Sequence, residues 1–290
     1  MAHNSILLKK ALELGKQTMQ NIDSRAIDTE LILSNAIKRP LEFIITNPGY
    51  ELTPLETTKF LSMLKRRIKY EPMAYILGYK EFYNRFFFVN NKVLVPRNDS
   101  EILITSAINE YKKYSNDQEI KLLEIGTGSG IISITLALEL QNQRLKITST
   151  DISNKILELA KKNARYHNTK NIHFIKSNIW QKINSENKFT AIITNPPYVA
   201  RNEKNLMSKE TKLYEPSNSL YAKNNGIYFY QKIISKIDLY LQPKGLLYLE
   251  ISFNKLTTIL KLLKEYNLEI LDILYDIQNH PRVIKSQLKL

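Results

Sequence analysis

Eight glycines serve the whole 290-residue chain, and three of them, Gly126, Gly128 and Gly130, fall within five positions. At an ordinary share of about 7%, a chain of this length would carry about twenty. A sequence that avoids glycine elsewhere needs it here for the backbone. The apolar run Leu122-Leu-Glu-Ile125 precedes the glycines, and Ile131 to Leu140 follows with apolar residues at helical spacing. The pattern is a strand, a tight turn and a helix, whose first N–H groups lack intrahelical partners and face whatever approaches the turn. The spacing is G-x-G-x-G, not the G-x-G-x-x-G of dinucleotide folds. Asp151 lies 21 residues beyond Gly130, at the end of the next strand, Lys146 to Thr150. A carboxylate there can accept from both ribose hydroxyls of a nucleoside ligand.

From residue 97 onward, strands and helices alternate. Strands are expected at 121–125, 146–150, 172–175, 189–194 and 246–251, and helices at 131–140, 154–166 and 228–241. Pro243-Lys-Gly245 closes the last helix, and two β-rich stretches fill the final 25 residues. Such alternation predicts an α/β fold with a parallel, doubly wound sheet. Residues 1–72 read differently. Apolar stripes at Ile6 to Met19 and Ile27 to Ile37, the second capped by Asp28, and a Thr53-Pro54 start for Leu55 to Ile68 predict a helical bundle without strands. Between them, residues 73–96 are rich in Phe, Tyr and Val and are interrupted at Asn90-Asn91, which predicts a β-hairpin link. The expected organisation is therefore 1–72, 73–96 and 97–290.

A second motif, Ala191-Ile-Ile-Thr-Asn195-Pro196-Pro197-Tyr198, ends an apolar strand in a proline-stiffened corner. The prolines remove two backbone donors and fix φ. The corner presents the Asn195 side-chain oxygen together with a neighbouring backbone carbonyl. Two such acceptors suit a planar –NH₂ group, and Tyr198 can cover its flat face.

Composition narrows the chemistry. The absence of cysteine excludes disulfides, thiolate metal sites and a cysteine nucleophile. No apolar run reaches the roughly 18 residues of a membrane span, and Met1 to Lys10 lacks a secretory signal pattern, so a cytoplasmic protein is expected. The net charge of +14 suits nucleic acid or ribonucleoprotein surfaces. It equally suits a Lys-, Asn- and Ile-rich composition of the kind AT-biased genomes encode. The four histidines, His3, His167, His173 and His280, do not cluster with either motif, and no metal site is expected.

These residues resemble the S-adenosylmethionine-dependent methyltransferases that act on amino or amide nitrogen, and more closely the HemK/PrmC-type protein-(glutamine-N5) methyltransferases. Glu71-Pro-Met-Ala-Tyr-Ile-Leu-Gly78 is similar to their E-P-x-A-Y-I-L-G segment, and Val95-Pro-Arg-Asn-Asp-Ser-Glu101 to their I-P-R-P-[ED]-T-E. Glu215-Pro216, Asn225-Gly226, Pro243-x-Gly245 and Arg282-Val283 follow in the family's order, and the resemblance spans residues 5 to 285. It implies a Rossmann-like catalytic domain behind a substrate-recognition bundle. S-adenosylmethionine would be held by Glu124, Gly126, Thr127, Gly128, Ser129, Gly130, Asp151, Asn178, Ile179 and Asn195. Glu124 would neutralise the cofactor's amino group or shape the turn. The reaction would fall to Asn195, Pro196, Pro197 and Tyr198, with the Asn195 oxygen and the Pro196 carbonyl accepting from the amide that attacks. Arg97 and Glu101 would order the substrate wall, or form an ion pair at the domain junction. The implied partner is a peptide-chain release factor, through the glutamine of its Gly-Gly-Gln loop. The enzyme is expected to act as a monomer, in possible proximity to the ribosome, without a membrane and without obligatory nucleic acid. Glutamine methylation of a ribosomal protein and adenine-N6 methylation of DNA or RNA are the alternatives. Three departures stand out: Asn98 replaces the family's usual proline, Asn178 its usual aspartate, and Asp276-Ile-Gln-Asn-His-Pro-Arg282 lacks its usual glycine.

Overall fold

The computed structural model describes residues 5–115, 117–142 and 144–289. The chain divides into two compact units, Met1–Tyr79 with Ser208–Tyr214, and Lys80–Met207 with Glu215–Leu290. In the first unit, β1 (Ile6–Leu7) pairs antiparallel with β2 (Glu51–Leu52) beside helices α1 (Leu8–Thr18), α2 (Arg25–Ile37), α3 (Leu41–Thr46), α4 (Pro54–Arg67) and α5 (Met73–Leu77). Leu8, Ala11, Ile32, Leu33, Phe60 and Leu64 form its core. The start of α4 is a capping box: Thr53 Oγ1 accepts from the Glu56 N–H, and Glu56 accepts from the Thr53 N–H at 2.8 Å.

Two expectations fail in this unit. The β1–β2 pair is a strand pairing where none is expected, because two residues are too few to show a period of two. Asp28 does not cap α2; Ser24 holds the N-cap position. Asp28 instead lies in the first turn and is buried, accepting from Ser24 Oγ at 2.7 Å and pairing with Arg67 Nε at 2.7 Å. Arg67, equally buried, also pairs at 2.6 Å with Glu210 of the helical segment Lys209–Tyr214.

The second unit opens within the hairpin of β3 (Tyr79–Phe82) and β4 (Arg85–Phe88). Its turn is Tyr83-Asn84, not the expected Asn90-Asn91, and Val93 to Val95 forms no strand. Tyr83 and Asn84 both have positive φ, +50° and +56°, as a two-residue type I′ turn requires. The Tyr83 N–H is held by Glu101 Oε1 at 3.1 Å. Behind the hairpin stand α6 (Ser100–Tyr111), β5 (Ile120–Ile125), α7 (Ile131–Leu140), β6 (Leu145–Asp151), α8 (Asn154–Tyr166), β7 (Ile172–Lys176) and β8 (Phe189–Thr194). After them come α9 (Tyr228–Ile234), β9 (Leu241–Glu250), α10 (Leu256–Glu265), β10 (Leu268–Tyr275) and β11 (Pro281–Leu288).

The sheet order is β10-β11-β9-β8-β5-β6-β7. Strands β9 to β7 in that order run parallel, and β11 and β10 add antiparallel. Helices cover both faces: Leu122, Ile147 and Ile193 pack with α6 and α7, whereas Leu123, Ile192 and Leu249 pack with α9 and α10. Burial on both faces fits the largely apolar runs of β5 and β8. The helix expected over 228–241 ends at Ile234, a short turn covers Ile237–Tyr240, and Leu241 already belongs to β9. Tyr240 stacks on Trp180 at 4.1 Å, so tertiary contact overrides the helical spacing there. Pro243-Lys-Gly245 lies inside β9, close to its irregular register with β8.

Candidate active site

Strands β6 and β7 lie on one side of β5, and β8 and β9 on the other, so strand order reverses between β5 and β8. In open α/β sheets the ligand crevice lies beyond the strand C-termini at such a point. The loops leaving β5, β6 and β8 carry the glycine turn, Asp151 and the Asn195 corner.

The glycine turn hangs on the end of β6: the Gly126 and Thr127 N–H groups both donate to the Thr150 carbonyl, at 2.9 and 2.8 Å. Gly126 and Gly128 have φ of +82° and +54°, and a Cβ on either would meet nothing within 4 Å. Their bare faces therefore look into open space, a cradle that a ligand can approach to backbone distance. Asp151 faces the same turn. Its Oδ2 accepts from the Gly128 N–H at 3.2 Å and its Oδ1 from Ser153 at 3.3 Å. Burial raises its pKa, and the Gly128 and Ser153 N–H groups oppose the rise. These features fit a nucleoside-bearing cofactor: open backbone at the turn and an acceptor carboxylate beside it.

Glu124 lies behind the turn, not in it. It is buried, and its Oε2 accepts from Thr127 Oγ1 at 2.8 Å, from Ser149 Oγ at 3.1 Å and from Ser133 Oγ. Its Oε1 is buried without a partner, and burial lifts the carboxyl pKa to about 7 despite the three hydroxyls. Glu124 thus gathers three hydroxyls behind the turn. Ser129 is anchored from α8, whose Asn163 Nδ2 donates to its carbonyl at 2.8 Å while Asn163 Oδ1 accepts from the Phe88 N–H at 2.8 Å.

Glu124 has a measurable consequence. A folded-state pKa near 7, above the ordinary 4.5, means the native state keeps a proton that the unfolded state has lost. Stability therefore falls as pH rises from about 4.5 to about 7 and levels off above. Glu124→Gln, neutral at every pH, is expected to flatten that fall. Urea midpoints at pH 5.5 and 8.0 check it; an unchanged difference between wild type and variant refutes the assignment.

Asn178 is exposed and Ile179 half-buried, next to the buried Ser177 at the end of β7. The Ser177 N–H donates to the Asp151 carbonyl at 2.9 Å, which ties this segment to the end of β6. Ile179 has φ +53°, a strained conformation for a β-branched residue, and Ser177 Oγ donates to its carbonyl at 2.8 Å.

At the end of β8, Thr194 Oγ1 donates to the Ile125 carbonyl at 2.8 Å and locks the Asn195 corner to β5. Asn195 Nδ2 donates to Ser100 Oγ at 3.3 Å, and Ser100 Oγ donates to Glu250 Oε2 at 2.6 Å. Pro196 is buried, and Pro197 and Tyr198 are half-buried. Tyr198 packs against the core of the α9 face, and burial together with the Glu250 carboxylate raises its hydroxyl pKa. Gly226 passes so close that a Cβ there would collide with the Tyr198 carbonyl.

Arg97 and Glu101 do not share one place. Arg97 pairs with the buried Glu215, which also accepts from the Val95 N–H at 3.1 Å. Glu101 is taken up by the hairpin turn. Of the histidines, His167 contacts the Phe86 carbonyl at 2.9 Å, His173 is exposed on β7, and His280 stacks on Phe253 at 4.7 Å. His3 lies outside the described residues. Among the described residues, no group of three or more His, Asp or Glu could hold a metal ion. No helix among them is long and apolar enough to cross a membrane.

Sequence reasoning missed Glu250 and gave Ser100 no role. The available signal was a lone carboxylate within the run Leu246 to Ile251. The departures at Asn98 and in 276–282 are accommodated locally. The Asn98 carbonyl accepts from the Glu101 N–H at 2.9 Å, and Asn279 takes φ +62°, a left-handed conformation that asparagine tolerates.

Residues 10–78 match the PrmC N-terminal domain family, and residues 116–281 match a methyltransferase domain family. A bifunctional methyltransferase of Rickettsia bellii is 37% identical over 97% of this chain and 55% of its own length. The chain thus spans about half the length of that relative and of its Rickettsia counterparts. The release factor glutamine methyltransferase of Fusobacterium nucleatum is 34% identical over 97% of this chain and 78% of its own length. Among solved structures, the hMettl16 catalytic domain in complex with a MAT2A 3′UTR hairpin covers 81% of this chain and 80% of that one. Its TM-score is 0.52 at 15% identity, a likeness of fold alone. With the PrmC N-terminal domain ahead of the methyltransferase domain, and a match to such relatives along nearly all of its length, the chain belongs to the release factor glutamine methyltransferase family.

Proposed function

We propose that this chain methylates the side-chain amide nitrogen (N5) of the glutamine in the Gly-Gly-Gln motif of peptide-chain release factors, with S-adenosylmethionine as donor. One observation carries the reading. The open glycine turn and the Asn195 corner leave adjacent parallel strands, β5 and β8, which Thr194 fastens together. A methyl donor in the first and a planar amide in the second would lie side by side.

The Gly126, Thr127, Gly128, Ser129 and Gly130 backbone would pack against the cofactor. Asp151 would accept from its ribose hydroxyls, and Asn178 and Ile179 would flank its base. When bound, S-adenosylmethionine supplies an electrophilic methyl whose C–S bond breaks toward sulfur as the N–C bond forms. The substrate amide is a poor nucleophile because its lone pair is delocalised into its carbonyl. Asn195 Oδ1 and the Pro196 carbonyl would accept its two N–H bonds and stabilise the positive charge growing on nitrogen, a preorganised electrostatic effect. Fixing the amide in line with the methyl adds the gain of positioning. The methylated nitrogen then releases one N–H proton to water. Tyr198 and the rigid prolines would cover the amide plane. The Arg97–Glu215 pair would stiffen the substrate wall, and Glu101 would act on that wall through the hairpin.

Residues 1–72 would grip the release factor outside its Gly-Gly-Gln loop, 73–96 would link, and 97–290 would catalyse. Such an enzyme works in the cytoplasm, as a monomer, near the ribosome where its substrate acts. The test is incubation of the purified chain with S-adenosylmethionine and, separately, a release factor, ribosomal proteins, and adenine-containing DNA or RNA, followed by digestion and mass spectrometry. One added methyl on the Gly-Gly-Gln glutamine is the expected result. Methyl on adenine or on a ribosomal protein alone overturns the reading.

A further inference from the structure

An asparagine amide is ambiguous: rotated by half a turn about its last bond, it presents a donor where it had presented an acceptor. Any role for Asn195 as an acceptor requires something to hold its Nδ2 away from the substrate. We propose that Ser100 and Glu250 are positioning residues that fix the Asn195 amide, through a directed chain from Asn195 Nδ2 to Ser100 Oγ to the Glu250 carboxylate. The proposal rests on the amide-methylating reading of this site.

The polarity of the chain follows from its terminus. An ionised carboxylate only accepts. Ser100 must therefore give its single proton to Glu250 Oε2, which lies 2.6 Å away. What remains on Ser100 Oγ is a lone pair, so only the Nδ2 side of Asn195 can face it, and it does so at 3.3 Å. Asn195 Oδ1 is thereby left for an incoming –NH₂. Ser100 is 1% and Glu250 2% exposed, so water does not compete for these contacts. The three residues come from the start of α6, the end of β8 and the end of β9.

The surroundings make the terminus titratable. Burial raises the Glu250 pKa to about 7. Asp99, just ahead of α6, raises it further; Arg282 on β11, Ser100 and a hydrogen bond from Asn195 oppose the rise. Arg282 is itself shared between Asp99 at 3.1 Å and Asp276 at 2.8 Å. Tyr198 also faces the carboxylate, and Tyr230 of α9 donates its Oη to the Glu250 backbone carbonyl at 2.8 Å. Once protonated, Glu250 can donate to Ser100. The chain can then reverse, and Asn195 is free to turn its Nδ2 toward the substrate. The acceptor geometry is thus secured above about pH 7 and released below it.

The test joins kinetics to a direct view of the amide. Ser100→Ala and Glu250→Gln should lower kcat by about 10- to 100-fold, the usual cost of removing an orienting partner behind a reacting group. KM for the release factor and cofactor affinity should change little. Ser100→Thr should restore kcat. Wild-type kcat should fall on the acid side with a midpoint near pH 7, and Glu250→Gln should lose that limb. Independently of any acceptor, the Asn195 side-chain amide signal in protein labelled with ¹⁵N-asparagine is identified by its absence from Asn195→Ala. It should titrate near pH 7 in wild type and Ser100→Thr, and not in Glu250→Gln. A wild-type signal that does not move between pH 6 and 8.5 overturns the proposal, as do kinetics unaltered in both Ser100→Ala and Glu250→Gln. A titrating amide in a wild type that leaves release factors unmethylated supports the positioning chain and overturns the glutamine reading instead.

Discussion

Asn195→Ala, at saturating S-adenosylmethionine, is expected to transfer methyl at least about 100-fold more slowly than wild type, the cost of losing one preorganised dipole at a reacting centre. Truncation removes the acceptor oxygen and leaves the corner itself intact, because Pro196, Pro197 and the Thr194–Ile125 hydrogen bond set its backbone. Asn195→Asp discriminates further. It retains acceptor oxygens but replaces the Nδ2 donor to Ser100 with a group that, when ionised, places a second carboxylate close to Glu250. Two like charges at such range do not both ionise readily. The aspartate variant is therefore expected to be nearly as slow as the alanine variant, and its residual activity to depend more strongly on pH. Calorimetric titration of the cofactor and single-turnover methyl transfer separate the two effects. Weakened cofactor binding with an unchanged transfer rate would place Asn195 outside the chemistry.

Arg67→Ala is expected to destabilise the N-terminal unit by about 3–5 kcal/mol, the range for removing one partner of a buried ion pair. Arg67 is 2% and Asp28 4% exposed, and the two are 2.7 Å apart. Without the guanidinium, Asp28 keeps the Ser24 hydroxyl as a neutral donor, and Glu210 loses the Arg67 pair. A buried carboxylate left without its cation costs stability. The same reasoning makes Arg67→Met combined with Asp28→Leu much less damaging than Arg67→Ala, since no charge then stays behind. Hydrogen exchange over α1, α2 and α4 gives the local stability directly. Equal protection in Arg67→Ala and wild type would mean that water already screens the pair.

Recognition of the two motifs needed little beyond their local order, since both constrain the backbone over short stretches. Three clustered glycines between an apolar strand and a helix admit few conformations, and two consecutive prolines after Asn195 admit fewer. The capping box at Thr53 and Glu56 is equally local. The hairpin turn was misplaced because Asn90-Asn91 carries the stronger turn composition, whereas Tyr83-Asn84 is held by a contact from Glu101, 18 residues away. Asp28 departs from its expected cap role for a related reason. Its place near a helix start suggests a cap, and only the approach of Arg67, 39 residues on, gives it a different partner.

Legible from the residues alone are therefore the alternation of strands and helices, the glycine turn with its acidic companion, and the proline-stiffened corner after Asn195. Each is written in residues close together, where steric limits on φ and ψ and the period of burial act directly. Which groups stand behind the turn and the corner is settled by long-range contacts instead. Glu124 gathers hydroxyls under the turn, Glu215 holds Arg97, Asn195 meets Ser100 across 95 positions of chain, and Ser100 meets Glu250 across 150. Such partners leave no periodic trace. They are selected by burial, which makes an unpaired polar group costly and so requires that distant donors and acceptors find one another.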